Sequence, residues 1–160
     1  MVVVNGWHIF EHAEFARQRD RLTQRVEALR KRDPDACRQS GDAKLLAAIA
    51  KLTLDIIPAD PGAAQFRQGG TLGDKRKHWF RAKFGNGRYR LFYQFNSRAK
   101  VIIYAWVNDD ETRRTYGAKS DAYAVFKKML DSGNPPDGWD ELIKSVDGGS
   151  AKAKQGRRKK

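Results

Sequence analysis

The sequence has a single cysteine, Cys37, and three histidines, His8, His12 and His78. One thiol excludes an internal disulfide and a thiolate metal site, and histidines this scattered form no metal-ligand motif. No apolar run approaches the ~20 residues that a membrane-spanning helix requires. The first residues, Met1-Val2-Val3-Val4-Asn5-Gly6, have neither the basic leader nor the long apolar stretch of a secretory signal, so a cytoplasmic location is expected. The glycines at 69, 70 and 73 are not followed by the Gly-Lys-Ser/Thr of a phosphate-binding loop, and no Ser/His/Asp order stands out. Carboxylates are the last shortage: 19 Asp and Glu face 32 Lys and Arg, a formal net charge of +13.

A field of that sign favours a polyanion or an acidic protein as partner. The excess is distributed. Residues 147–160 carry six Lys and Arg against Asp147, and the rest of the chain remains strongly basic. With 160 residues, 40% of them hydrophobic, the chain has material for one core. The expected organisation is a folded domain over 1–146 and a disordered basic tail over 147–160.

Periodicity supplies the elements. Phe15, Leu22, Val26 and Leu29 mark a first amphipathic helix, stopped by Asp33-Pro34. Leu45, Ile49, Leu52 and Ile56 mark a second, from about Asp42 to Ile57, ended by Pro58. Residues 58–78 read as a long loop broken by prolines and glycines. The period then becomes two. Trp79–Phe84, Arg88–Phe95 and Lys100–Val107 read as an antiparallel meander, with Gly85-Asn86-Gly87 as its first tight turn. A last helix starts near Ser120 or Asp121, and Trp139–Val146 adds a further turn. The predicted fold is α+β: an N-terminal helical hairpin packed on one face of a β-meander, with a C-terminal helix.

Chemistry concentrates in the meander. From Lys75 to Lys100 there are nine Lys and Arg, seven aromatic residues and no Asp or Glu. Alternation puts Trp79, Arg81 and Lys83 on one face of the first strand, and Arg88, Arg90, Phe92 and Gln94 together on the second. If the opposite, apolar faces meet the helices, this surface presents cations for phosphates and rings for bases, as an RNA platform does. Lys75, Arg76, Lys77, Trp79, Phe92 and Lys119 are the expected RNA-binding residues. Downstream, Arg113-Arg114-Thr115-Tyr116-Gly117-Ala118-Lys119 can fold back over the edge of this face and bring Arg114, Tyr116 and Lys119 towards Arg81 and Lys83. Metal-free RNA cleavage needs a base for the 2′-OH, an acid for the 5′-oxygen and cations for the phosphorane. Lys, Arg and Tyr can meet all three needs if neighbouring cations lower the pKa of the lysine or tyrosine, and the competing reading is a non-catalytic RNA- or ribosome-binding face. A DNA-binding repressor is disfavoured, because no helix-turn-helix is apparent.

Specific motifs then carry a resemblance: Asn5-Gly6-Trp7, Thr71-Leu72-Gly73, Arg81-x-Lys83-Phe84-Gly85-x-Gly87-Arg88-Tyr89-Arg90-Leu91-Phe92, Trp106-x-Asn108-Asp109-x-x-Thr112-x-Arg114-Thr115-Tyr116-Gly117, Lys119-x-Asp121-Ala122-Tyr123 and Pro135-Pro136. Over about residues 5–143 the chain resembles the YhaV family of type II toxins, within the RelE-like ribonuclease superfamily. The resemblance implies an mRNA endonuclease, acting in association with ribosomes, that needs no cofactor. It also implies a PrlF/AbrB-like antitoxin, with operator DNA bound only through the toxin–antitoxin complex, and no membrane role. Arg81 occupies the family's catalytic arginine position, and Arg88, Arg90, Arg114 and Tyr116 match motif positions. With Lys83 they form the expected catalytic set. Two departures are Arg113, where an apolar residue is usual, and the Lys-rich tail.

Overall fold

The computed structural model describes residues 2–115 and 117–146. Five strands form one sheet in the order β1-β2-β5-β4-β3. β1 (Val2–Val4) and β2 (Trp7–Glu11) make an antiparallel hairpin. Its turn is Asn5-Gly6, both at positive φ (51° and 83°), the conformation that tight hairpins demand and that this dipeptide tolerates. This hairpin extends the predicted meander, because β2 runs parallel to β5.

α1 (Ala13–Arg32) is capped by His12, whose Nδ1 accepts the Glu14 N–H at 3.0 Å. It ends at Asp33, which is extended before Pro34 and caps the short α2 (Pro34–Gln39). Ser40 caps α3 (Gly41–Lys51). The helical path does not stop at Pro58: after α3 a π turn over Leu52–Ile56 leads into α4 (Ile57–Ala59). Proline lacks an N–H and crowds the carbonyl four residues back, and the widened turn accommodates both constraints.

β3 (Phe80–Phe84), β4 (Tyr89–Asn96) and β5 (Val101–Val107) form the predicted meander, in register Arg81↔Phe92 and Lys83↔Arg90. A bulge leaves Ala105 unpaired between the pairs Phe92↔Trp106 and Tyr93↔Tyr104. α5 (Ala122–Asp131) is capped by Asp121, and α6 spans 139–146. The expected disordered tail at 147–160 lies outside the described residues.

The expectation of helices on one face only is corrected. α1 and α3 cover the face of Ala82, Leu91, Tyr93, Ile102 and Tyr104. α5 and α6 cover the other, where Trp79, Phe92, Ile103 and Trp106 pack with Phe126, Leu130, Leu142 and Val146. Phe126 stacks on Phe92 (4.2 Å, 17°) and Trp106 (5.6 Å, 3°) and meets the edge of Trp79 (5.0 Å, 87°). A β5 that is apolar on both sides leaves neither face for water.

The connection over 60–79 is structured. Leu72 is enclosed in the second core and Gln68 Nε2 donates to the Arg76 carbonyl at 2.7 Å. Asp137 clamps its far end. The carboxylate accepts Trp79 Nε1 at 2.7 Å and Arg76 Nε at 3.1 Å, and its own carbonyl accepts Gln94 Nε2 at 2.9 Å.

Candidate active site

The helix layer ends at the rim of β3, the sheet edge, and there the cations remain. Arg81 stands mid-strand and half-buried. Its Nε donates to the Tyr123 hydroxyl at 2.9 Å and its Nη1 to the Gln65 carbonyl at 2.8 Å. Arg90, on the neighbouring strand, is 4% exposed. Its Nε donates to the same hydroxyl at 3.2 Å, and its Nη1 donates to the carbonyl of Gly87 at 2.6 Å. A buried guanidinium needs such partners, because desolvating an unpaired charge is prohibitive.

The third arginine arrives by the route the sequence suggests. Asn108, at the end of β5, accepts the Arg90 N–H at 2.7 Å and donates from Nδ2 to the carbonyls of Arg88 (3.1 Å) and Thr112 (2.8 Å). Asp109 caps the 3₁₀ turn Asp110–Thr112 and forms a capping box with Thr112. The chain thus turns back, and the Arg114 N–H donates to the Arg88 carbonyl at 2.8 Å. The Arg114 guanidinium lies over the Tyr123 ring, 4.7 Å from its centroid, and pairs with Asp121 at 2.5 Å. Arg90 is 5.6 Å from the same centroid. Asp121, 4% exposed, also accepts the N–H groups of Thr115 (2.6 Å) and Tyr123 (3.1 Å). One carboxylate therefore fixes both the start of α5 and the returning segment.

Three guanidiniums from β3, β4 and the 108–121 segment thus converge on one phenol. Tyr123 and Asp121 are the members that sequence reasoning left out of the site, although both lie in the motif Lys119-x-Asp121-Ala122-Tyr123. Lys83 and Arg88 are exposed at the same rim, and Lys119 is exposed in the returning segment. Tyr116 lies outside the described residues.

The expected RNA-binding residues divide. Lys75 and Lys77 are exposed. Arg76 pairs with Asp131 at 2.8 Å and with Asp137, so it holds the loop. Trp79 and Phe92 are fully enclosed (0% exposed), and α5 occupies the faces that bases would stack on. The stacking platform is corrected accordingly: the sheet face is core, and the accessible chemistry is its cationic rim. Among the described residues, no three His, Cys, Asp or Glu side chains gather as a metal site would require. No helix among them is long and apolar enough to cross a membrane.

Comparison with known proteins places the chain in a family. A family model described as a toxin with endonuclease activity, of a toxin-antitoxin system, matches residues 9–147. Toxin YhaV of Escherichia coli O6:H1 is 45% identical over 145 residues, covering 90% of this chain and 94% of the relative. Ribonuclease toxin YhaV of Escherichia coli strain K12 is 44% identical over the same shares. No solved structure matches the chain. The chain belongs to the YhaV family, toxins with endonuclease activity that work in toxin-antitoxin systems.

Proposed function

We propose that this chain is a ribonuclease toxin that cuts mRNA, in association with the ribosome, at the rim formed by Arg81, Arg90, Arg114 and Tyr123. The convergence of three guanidiniums on one phenol carries the reading. A relative's name, ribonuclease toxin, supports RNA as the substrate. In this scheme the 2′-OH attacks the adjacent phosphorus, a 2′,3′-cyclic phosphate forms and the 5′-oxygen leaves. The phosphorane gathers negative charge, and guanidiniums held in place before the reaction stabilise it. Arg81 grips the phosphate with the N–H donors not engaged by Tyr123 and Gln65. The Tyr123 oxygen accepts from two arginines, so its own proton is free to pass to the 5′-oxygen. Lys83, on the same face of β3, takes the 2′-OH proton when its amine is neutral, with Arg88 as a further phosphate contact. Lys75, Lys77 and Lys119 hold the flanking backbone.

This chemistry routes no step through a metal or cofactor. The family's toxin-antitoxin setting implies a neutralising partner; its PrlF/AbrB-like type, operator binding through the complex and a cytoplasmic location complete the proposal. The test is primer extension on mRNA with and without ribosomes, using wild type and Arg81→Ala. Defined cuts that vanish in the variant are expected. RNA binding without cuts would make the protein a non-catalytic RNA- or ribosome-binding module.

A further inference from the structure

A second surface lies on the other side of the β3–β4 turn from the arginine cluster. An open trough of about 1050 Å³ runs between the first half of α3 and that turn, with Lys44, Leu45, Ala48, Arg88, Tyr89 and Arg113 among its lining residues. It shares Leu45 and Tyr89 with a deeper cleft of about 440 Å³, floored by Leu22, Ile49, Phe84 and Val107. Together they form one channel, apolar along its floor and polar along its walls, leading to the edge of the catalytic rim.

The walls are fixed in advance. Gly85 sits at φ +60°, and a Cβ there would meet Tyr89 at 2.6 Å and Leu45 at 3.1 Å, so turn, strand and helix are in tight contact. The Tyr89 hydroxyl donates to Asp110 at 2.5 Å, and burial together with that bond pushes its pKa up to about 12. The carboxylates near the channel are engaged. Asp110 accepts from Tyr89, Asp109 caps its turn, and Asp42 pairs with Arg25 at 3.1 Å. By contrast, Lys44, Arg88 and Arg113 make no ion pair among the described residues.

We infer that this channel is the seat of the antitoxin, and that the segment it takes is amphipathic: apolar side chains on the Leu45–Ala48–Tyr89 floor, carboxylates against Lys44, Arg88 and Arg113. The charge of the rim selects an acidic partner. The trough selects a peptide over RNA, because the one aromatic ring in its lining, Tyr89, is 8% exposed and offers no face for a base. A segment seated here brings negative charge to Arg88, at the mouth of the catalytic rim, and neutralises the toxin without entering the arginine cluster. The inference rests on the family's antitoxin and not on the proposed cleavage chemistry.

The probe is the cognate antitoxin, co-expressed with the full chain. The photocrosslinker p-benzoylphenylalanine at exposed position 44, on the wall of the trough, should capture a stretch of the antitoxin in which apolar residues are flanked by Asp or Glu. The double variant Lys44→Glu/Arg113→Glu, altering exposed side chains only, should lose roughly tenfold or more in antitoxin affinity, most of it at low salt. Ala48→Trp, which fills the floor, should lose a similar factor. RNA cleavage by the free variants should stay at the wild-type rate. Unchanged antitoxin affinity in the folded double variant, or crosslinks absent from position 44, would overturn the assignment. Weakened RNA cleavage with intact antitoxin binding would give the channel to RNA instead. A chain that binds antitoxin here yet cuts no RNA would refute only the cleavage reading.

Discussion

Replacing Tyr123 by Phe removes one oxygen and tests the centre of the site. Two charged donors lose their acceptor, Arg81 Nε at 2.9 Å and Arg90 Nε at 3.2 Å. Arg81 is half-exposed and water can replace the phenol. Arg90 is 4% exposed, so its loss dominates. A hydrogen bond from a charged group contributes about 1.5–3 kcal/mol. For a domain of this size each kcal/mol moves the melting temperature by about 2–4 °C, which gives a fall of roughly 3–12 °C. Native domains have about 5–15 kcal/mol in hand, so the variant stays folded at assay temperature. Its cleavage rate should nevertheless drop by ~10²–10⁴, the usual contribution of a general acid. Single-turnover cleavage of an end-labelled RNA, with thermal unfolding in parallel, separates the two effects. A substrate with sulfur at the bridging 5′ position needs no proton on its leaving group, and on it the variant should recover most of its rate. A Tyr123→Phe protein that cuts ordinary RNA at the wild-type rate, or gains nothing from the sulfur substrate, would refute the assignment of the proton donor.

Arg81→Ala should lose ~10²–10³ in rate through removal of a preorganised donor, with little change in melting temperature, and Arg81→Lys should rescue poorly because it cannot grip a phosphate with two parallel bonds; growth arrest on induction, read beside circular dichroism, checks both. Burial lowers the pKa of His12 from 6.5, and its Nδ1 must stay unprotonated to cap α1. Its contribution is therefore complete above pH 6.5 and lost as pH falls through the lower folded-state value, so denaturant unfolding at pH 5 should show less stability than at pH 7.5 and His12→Asn should flatten that difference. Burial would raise the Asp137 pKa from 3.8, but hydrogen bonds from Trp79 and Arg76 and the Arg76 charge outweigh it and hold the carboxyl lower. That stability is present above pH 3.8 and lost as pH falls through the depressed value. Asp137→Ala, which leaves the enclosed Trp79 Nε1 without an acceptor, should cost about 1–3 kcal/mol in chemical denaturation at pH 7, a loss absent if the 74–79 loop is held by other contacts.

Strand periodicity was a reliable guide to sides and a poor guide to cover. The alternation correctly opposes Arg81 and Lys83 to Phe80, Ala82 and Phe84, and the turn at Gly85-Asn86-Gly87 sets the β3–β4 register. It does not say which side meets a helix. The missed signal was β5, where Ile102 and Tyr104 face one way and Ile103, Ala105 and Trp106 the other, all nearly inaccessible. A strand apolar on both faces belongs to the middle of a two-sided sandwich. The hairpin at Asn5-Gly6 was also written in the sequence, but a three-residue strand is too short for periodicity to register, and its partner β2 joins the sheet beside β5, ninety residues away in sequence.

The site itself was half legible for a related reason. Its cations stand out because nothing acidic separates Lys75 from Lys100, whereas its phenol hides in a helix stripe whose other members, Ala122, Phe126 and Leu130, are core. Tyr123 serves both roles. Its ring meets Phe92 edge-on at 5.5 Å and anchors α5 to the sheet, while its hydroxyl reaches the rim and takes the two guanidiniums. The contact that makes a buried Arg90 tolerable is therefore the same contact that assembles the cluster. Packing α5 onto the sheet closes the core and sets the phenol among the arginines in one step. A core substitution under α5, such as Phe126→Ala, should accordingly loosen the site as well as the fold.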